Sequence, residues 1–306
     1  MAAEPFPVLD VSEWPWEFDE PMGKAGKRWL RNPATNGRWL WKPVTEQHER
    51  TATFLKGEDW AEKIASELAH LLAIPAATVE LASLHGRRGV VVATVAPPGT
   101  ELVHGNELLE AVVPGYPREH RQETPHYRLD TIAQALEYFD VRPPSPASPG
   151  DAMTIFVHYL ALDALIANTD RHHTNWGVLH HVDDGTRTLA PSFDHATSLG
   201  FQLSDVRRRR TLDEPGGIET FAAGGRSRPF EGKPHLDHLL TQGVRLRPDA
   251  GPRITQTLAA LDEDALVRLA TRVPEDVMSE PSRTFVQQLL VINRRRVLDA
   301  CHNARR

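Results

Sequence analysis

The chain predicts a bilobal α+β fold, and three observations carry that expectation. Short apolar runs with a period of two, separated by Asn/Gly and Gly/Arg turns, are confined to the first hundred residues. A single amphipathic stretch, residues 58–73, interrupts them. Beyond His104 the apolar residues recur mainly at helical spacing. The expected division is residues 1–103 for a small lobe, an antiparallel sheet with one helix, and residues 104–306 for a mainly helical lobe. Each is long enough to bury its own core.

Residues 1–20 are acidic and rich in Trp and Pro, and read as an arm packed on something else. Residues 29–31 and 38–43 are short strands around the turn at 32–37, which makes a hairpin. Ahead of it lies a Gly/Lys loop with Gly23 and Gly26, whose backbone N–H groups could drape over phosphates; a solvated basic loop is the competing reading. Lys42 ends the second strand before Pro43, either directed at an anion or left in water. The helix at 58–73 places Trp60, Ile64, Leu68, Leu71 and Leu72 at helical spacing. Its Asp59 and Glu62 also match a capping box. Residues 77–84 and 89–95 read as two further strands joined by a Gly/Arg turn, and residues 96–100 as a hinge.

In the second lobe residues 129–139 are amphipathic, and residues 142–150 are too proline-rich for a helix or an internal strand. A helix over 152–167 presents Ile155, Tyr159, Leu162, Leu165 and Ile166 as one inward face and delivers Asn168 and Asp170 into a loop. Residues 176–179 and 187–190 form a hairpin that returns Asp194 to the side of Asn175. Residues 202–228 carry arginine runs with little apolar pattern, and Ser227 between arginines reads as a modification site. Helices over 253–271 and 282–302 complete the lobe, with Phe285, Leu289, Leu290, Ile292 and Leu298 inside.

The chemistry concentrates in Asp170, Asn175 and Asp194. A carboxylate, a carboxamide five residues on, and a second carboxylate after an apolar run are what phosphoryl transfer from ATP requires: one group to orient or deprotonate the attacking hydroxyl, and hard oxygen ligands for Mg2+. A polar turn is the plain alternative for Asp170 taken alone. Five histidines, His172, His173, His180, His181 and His195, raise a metal-hydrolase reading, against which stands the absence of an HExxH pattern.

Residues 165–179 and 189–194 resemble the two signature segments of HipA-like kinases, a family distantly similar to protein kinases and phosphatidylinositol kinases. The resemblance runs from the Lys42 strand to Asp194 and implies a protein-kinase-like fold. It implies Asp170 as the catalytic Asp, and Asn175 and Asp194 as the Mg2+ ligands. Lys42 is then the lysine that holds ATP phosphates. The resemblance places its helix-borne partner at Glu62, with Glu58 and Glu67 as competitors. Phosphorylation of protein Ser or Thr is the implied activity; a small-molecule or lipid kinase, or a nucleotide-binding pseudokinase acting as an interaction module, would use the same set. The family's antitoxin-type partner is not carried over, because an additional N-terminal region has no counterpart here.

Composition limits the rest. A net charge of −6 and a pI near 6.2 give no broad attraction to nucleic acid. No run is long and apolar enough for a bilayer, and the start lacks a signal-peptide pattern, so a cytoplasmic location without membrane attachment is expected. One cysteine, Cys301, excludes an internal disulfide framework.

Overall fold

A computed structural model describes residues 4–20, 26–49, 53–120, 122–145, 148 and 150–305. Its first sheet is built from β1 (Val8–Asp10), β2 (Trp16–Asp19), β3 (Arg28–Arg31), β4 (Arg38–Pro43), β7 (Val79–Leu84) and β8 (Arg87–Ala93), in the order β1-β7-β8-β4-β3-β2. Between β4 and β7 come the hairpin β5 (Glu46–His48) and β6 (Thr53–Leu55) and the helix α1 (Glu58–Leu71). The β3–β4 and β7–β8 pairs are antiparallel, as their turns predict. The N-terminal arm is an edge feature: β1 pairs in parallel with β7 and β2 antiparallel with β3. Strands of three and four residues carry too little alternation to be read from sequence.

Alternation along the central strands gives the sheet two apolar faces. One packs on α1 through Val79, Leu81, Val90 and Val92, joined to Ile64, Ala65 and Leu68 in the main core. The other forms a smaller cluster of Val11, Leu30, Trp41, Ala82, Leu84 and Val91, covered by Trp14 and Trp39. Phe6, ahead of β1, is buried, and its N–H donates to Arg272 O at 2.7 Å. The guanidinium of Arg272 stacks 4.1 Å from the Phe6 ring centre.

The chain then forms β9 (Thr100–His104), α2 (Gly105–Val112), α3 (Leu129–Tyr138), β10 (Val141–Arg142), α4 (Ala152–Ile166), β11 (Gly177–His181) and β12 (Arg187–Leu189). The strands make a second sheet in the order β10-β12-β11-β9. β9 was not expected; its five residues pair along the whole of β11. Helix α4 is buried on every side, not along one face. It packs on α7 (Leu236–Leu246), α8 (Ala250–Ala260), α10 (Glu280–Asn303) and α3.

The arginine-rich segment is helical: α5 (Asp205–Asp213) and α6 (Gly217–Ala223). Arg208 is buried, paired with Asp205 at 3.2 Å and stacked over Trp60 at 5.5 Å, so α5 packs on the start of α1 through a charged residue and leaves no apolar stripe. Ser227 is buried as well, which removes it as an accessible modification site. The expected helix 253–271 is two, α8 and α9 (Glu263–Thr271), because Asp262 caps a fresh N-terminus by accepting from Asp264 N–H. In α10, Phe285, Leu289 and Leu290 are buried, while Ile292 and Leu298 are partly so.

Candidate active site

Strand β4 and helix α1 bring the first two charged groups together. Lys42 follows buried Trp41 and pairs with Val90 of β8, which fixes its direction. Its ammonium donates to Glu62 Oε1 at 2.8 Å and to Asp194 Oδ1 at 2.9 Å. Glu62 is therefore the partner, and no capping box forms at α1, whose N-cap is Gly57 without a side-chain cap bond. Glu58 instead accepts from Thr45 N–H and Oγ1–H, Glu67 from Lys63, and Asp59 from Arg88.

Burial works against the charge of Lys42, but the carboxylates of Asp194 and Glu62 outweigh it and raise the ammonium above its ordinary value. At Asp194 burial is again opposed, here by Lys42 and Lys27, and the carboxyl is held well below the usual range. Glu62 is pushed up by burial, with Lys42 pulling the other way. Its second oxygen, Oε2, is buried with no hydrogen-bond partner among the described residues.

Helix α4 supplies the loop. Ala167 closes it in the left-handed region at φ 52°, and the chain turns directly into Asn168. Asn168 is buried, donates to Asp163 Oδ1 at 2.8 Å and accepts from Asp170 N–H at 3.1 Å. Arg171, 1% exposed, clasps Asp163 with two bonds of 2.7 Å and donates to Asn175 O at 3.0 Å. Tyr127 O–H donates to Arg171 O at 2.8 Å. These contacts leave the Asp170 side chain at the loop surface, 27% exposed. Asn175 Nδ2 donates to Asp170 O at 2.8 Å, which leaves Oδ1 as the acceptor of that amide.

Asp194 arrives on the far side. Ser192 N–H donates to Pro75 O and Ala77 N–H to Ser192 O, at 2.9 and 2.8 Å, tying the strand to the link between α1 and β7. Asp194 itself has φ 60°, a conformation Asp tolerates better than most side chains. Lys42, Asn175 and Asp194 line one cavity of about 280 Å3, with Leu40, Val92, Leu102 and Phe193 as its apolar walls and Thr94, Val95 and Ala96 along its rear edge. Asp170 is not among the lining residues; its carbonyl accepts from Asn175, which is. The Gly/Lys loop lies between β2 and β3, ahead of the β3–β4 hairpin as its sequence predicts. Gly26 there has φ 94°, and Lys27 and Glu20 line the cavity; Gly23 lies outside the described residues.

The Asp163–Arg171 pair and Lys27 are additions that the spacing argument does not reach, and His172 enters as a cavity residue and not as a metal ligand. A lone Asp inside an apolar helix, eight residues before an Arg, was the available signal for the pair. His172 also lines the cavity, and its Nδ1 accepts from Thr174 N–H. The histidines do not converge. His173 Nδ1 meets Tyr116 O–H, His181 meets Thr188, His195 meets Ser192, and no group of three His, Cys, Asp or Glu among the described residues is placed to hold a metal. A larger cavity of about 370 Å3 lies behind α1, between Leu72–Pro75, α4 and α8; it contains His158 and Arg253 but no carboxylate.

The donors fit Mg2+ bound together with phosphates. Asn175 Oδ1 and Asp194 are hard oxygens, two protein ligands suffice for an ion that keeps phosphate and water oxygens, and the orphaned Glu62 Oε2 is an acceptor for a bound water's proton. Among the described residues no helix is long and apolar enough to cross a membrane.

The HipA-like C-terminal domain family matches residues 18–214. No curated protein matches the chain. Among solved structures the proinflammatory kinase CtkA of Helicobacter pylori superposes with a TM-score of 0.77 at 18% identity, covering 97% of each chain, which shows a shared fold. HipA of Shewanella oneidensis MR-1, solved with HipB and operator DNA, gives a TM-score of 0.45 at 14% identity over 95% of this chain and 67% of that one.

Proposed function

The chain belongs to the family of HipA-like C-terminal domains, and from that premise we propose that it is an ATP- and Mg2+-dependent kinase that phosphorylates Ser or Thr hydroxyls of a protein. One observation carries the reading: Lys42 holds Glu62 and Asp194 at once, in the cavity that Asn175 lines. A buried ammonium braced by two carboxylates is set to meet phosphate oxygens, and the hinge-side walls are apolar enough for a purine.

In this reading Asp194 and Asn175 hold the ion, and the ion supplies charge neutralisation on the phosphates. Lys42 keeps its proton throughout, since both carboxylates favour its charged form. Asp170, part-exposed in the loop that carries Asn175, orients the acceptor hydroxyl and takes its proton. Asn168 and Arg171 fix the loop so that Asp170 needs no rearrangement to do so. Lys27 of the Gly/Lys loop adds positive charge above Asp194.

The test is transfer of the γ-phosphate of labelled ATP into the chain itself and into a cell lysate, with Mg2+ or with EDTA. Asp170→Asn is expected to bind nucleotide yet lose about 10²–10⁴-fold in transfer, the usual scale for a general base. Asp194→Ala is expected to lose Mg2+-dependent nucleotide binding. Undiminished turnover in Asp170→Asn would refute its role, and wild-type chain that binds no nucleotide would refute the reading as a whole.

A further inference from the structure

Phosphoryl transfer leaves negative charge on the equatorial oxygens of the group in flight, and a cation must meet it there. The cations of the cavity act on its own carboxylates, Lys27 among them through Asp194. Lys42 is held by Glu62 and Asp194, and Arg171 is buried on Asp163 and Asn175 O. Arg228 is placed differently. Its Nη2 lies 3.8 Å from Asp170 Oδ1, outside hydrogen-bond range, and its side chain is 56% exposed.

The backbone beneath it is firmly held. Arg228 N–H donates to Thr169 O at 3.0 Å, Ser227 N–H to Pro234 O at 2.9 Å, and Thr124 N–H to Pro229 O at 2.9 Å. Ser227 and Phe230 on either side are each 1% exposed. A long, exposed side chain on a fixed backbone, in a loose ion pair with the carboxylate that receives the acceptor, has the properties of an arginine finger acting within its own chain.

We propose that Arg228 is a catalytic residue whose guanidinium contacts the transferred phosphoryl group, an inference that rests on the kinase reading. The acceptor oxygen bonds to the γ-phosphorus while the bond from that phosphorus to the β–γ bridging oxygen breaks. The hydroxyl proton goes to Asp170, ADP leaves with the bonding pair, and Arg228 turns from Asp170 to the equatorial oxygens as charge builds on them.

The experiment follows ADP formation from Mg2+–ATP with water as the acceptor, so that no substrate protein is needed. Arg228→Ala is expected to lower kcat about 10²–10³-fold, the scale of a lost transition-state donor, with KM for ATP little changed. Arg228→Lys should recover part of the loss. Arg228→Gln, which keeps length without charge, should match alanine and carries the test if the alanine variant does not fold. An unchanged kcat, or a change in KM alone, would overturn the proposal. Wild-type chain, EDTA and Asp194→Ala run in parallel, with nucleotide binding measured beside turnover, separate the two levels: wild-type turnover that needs Mg2+ but survives in Arg228→Ala removes Arg228 only, no wild-type turnover by a chain that still binds Mg2+–ATP overturns this inference alone, and no nucleotide binding removes the kinase reading with it.

Discussion

Asp163 and Arg171 are each almost fully buried and share two short bonds, while Asn168 donates to Asp163 and the Asn175 carbonyl accepts from Arg171. Such a pair contributes little net stability over an apolar equivalent, because desolvation offsets attraction. Breaking it is another matter. Asp163→Ala leaves a guanidinium buried without a counter-ion and is expected to destabilise the chain by about 3–5 kcal/mol, measured by urea unfolding. A cost below about 1 kcal/mol, the level of an exposed pair, would show that Arg171 escapes to solvent. Individual residues are legible in the sequence where chemistry dictates spacing. Asp170, Asn175 and Asp194 stand out because few other tasks need that interval, and the fold brings Asn175 and Asp194 to one cavity, whereas Lys27 carries no mark that distinguishes it from any loop lysine.

At the scale of elements, legibility followed amphipathicity. The β3–β4 and β7–β8 hairpins show themselves by short apolar runs between Asn/Gly and Gly/Arg turns, and α1 by the helical spacing of the apolar residues it packs on the sheet. Helix α4 has no wet face, and its boundaries were found while its all-round burial was not. Helix α5 is held by Arg208 on Trp60, a contact that a hydrophobic pattern does not contain. Helix α7 did carry a signal, Leu236, Leu239, Leu240 and Val244, weakened by Gly243, where a Cβ would come within 3.2 Å of Val157 and Leu160 of α4. Gly89 makes a sharper case. A Cβ there would lie 2.2 Å from Lys42 O and 2.6 Å from the Trp41 ring, so β8 can approach β4 only with glycine at this point. Gly89→Ala is expected to cost about 1–3 kcal/mol by overpacking and to weaken Mg2+–ATP binding by displacing Lys42. Denaturant unfolding and nucleotide titration check the two halves, and wild-type affinity in the variant would show that the strand yields without moving Lys42.

For the whole molecule, acid sensitivity follows from groups that titrate differently when folded. His158 is 8% exposed, and burial, with Arg253 adding to it, pushes its pKa down to about 4. The unfolded chain binds this proton near pH 6.5, so the stability His158 contributes is complete above that and is lost as pH falls toward 4, about 3 kcal/mol in all. Asp194, also depressed, contributes above the ordinary carboxylate range and loses its share only below it. Glu62, raised by burial, runs the other way, with its share present at low pH and lost as pH rises through its folded value. The thermal midpoint should therefore decline between pH 6.5 and 4, and His158→Gln should flatten that decline. Equal slopes in the two proteins would exclude His158 as its source.

The docking of Phe6 against Arg272 also has a temporal side. During synthesis the first strand leaves the ribosome long before residue 272 exists, and the contact that seats Phe6 cannot form until nearly all of the chain has been made. β1 can pair with β7 and Phe6 can meet Lys63 of α1 much earlier, but the part of the ring that Arg272 covers must wait. The small lobe is thus completed by one of the last helices to emerge, and a nascent chain stalled before α9 would present this arm to whatever chaperone binds unburied apolar segments.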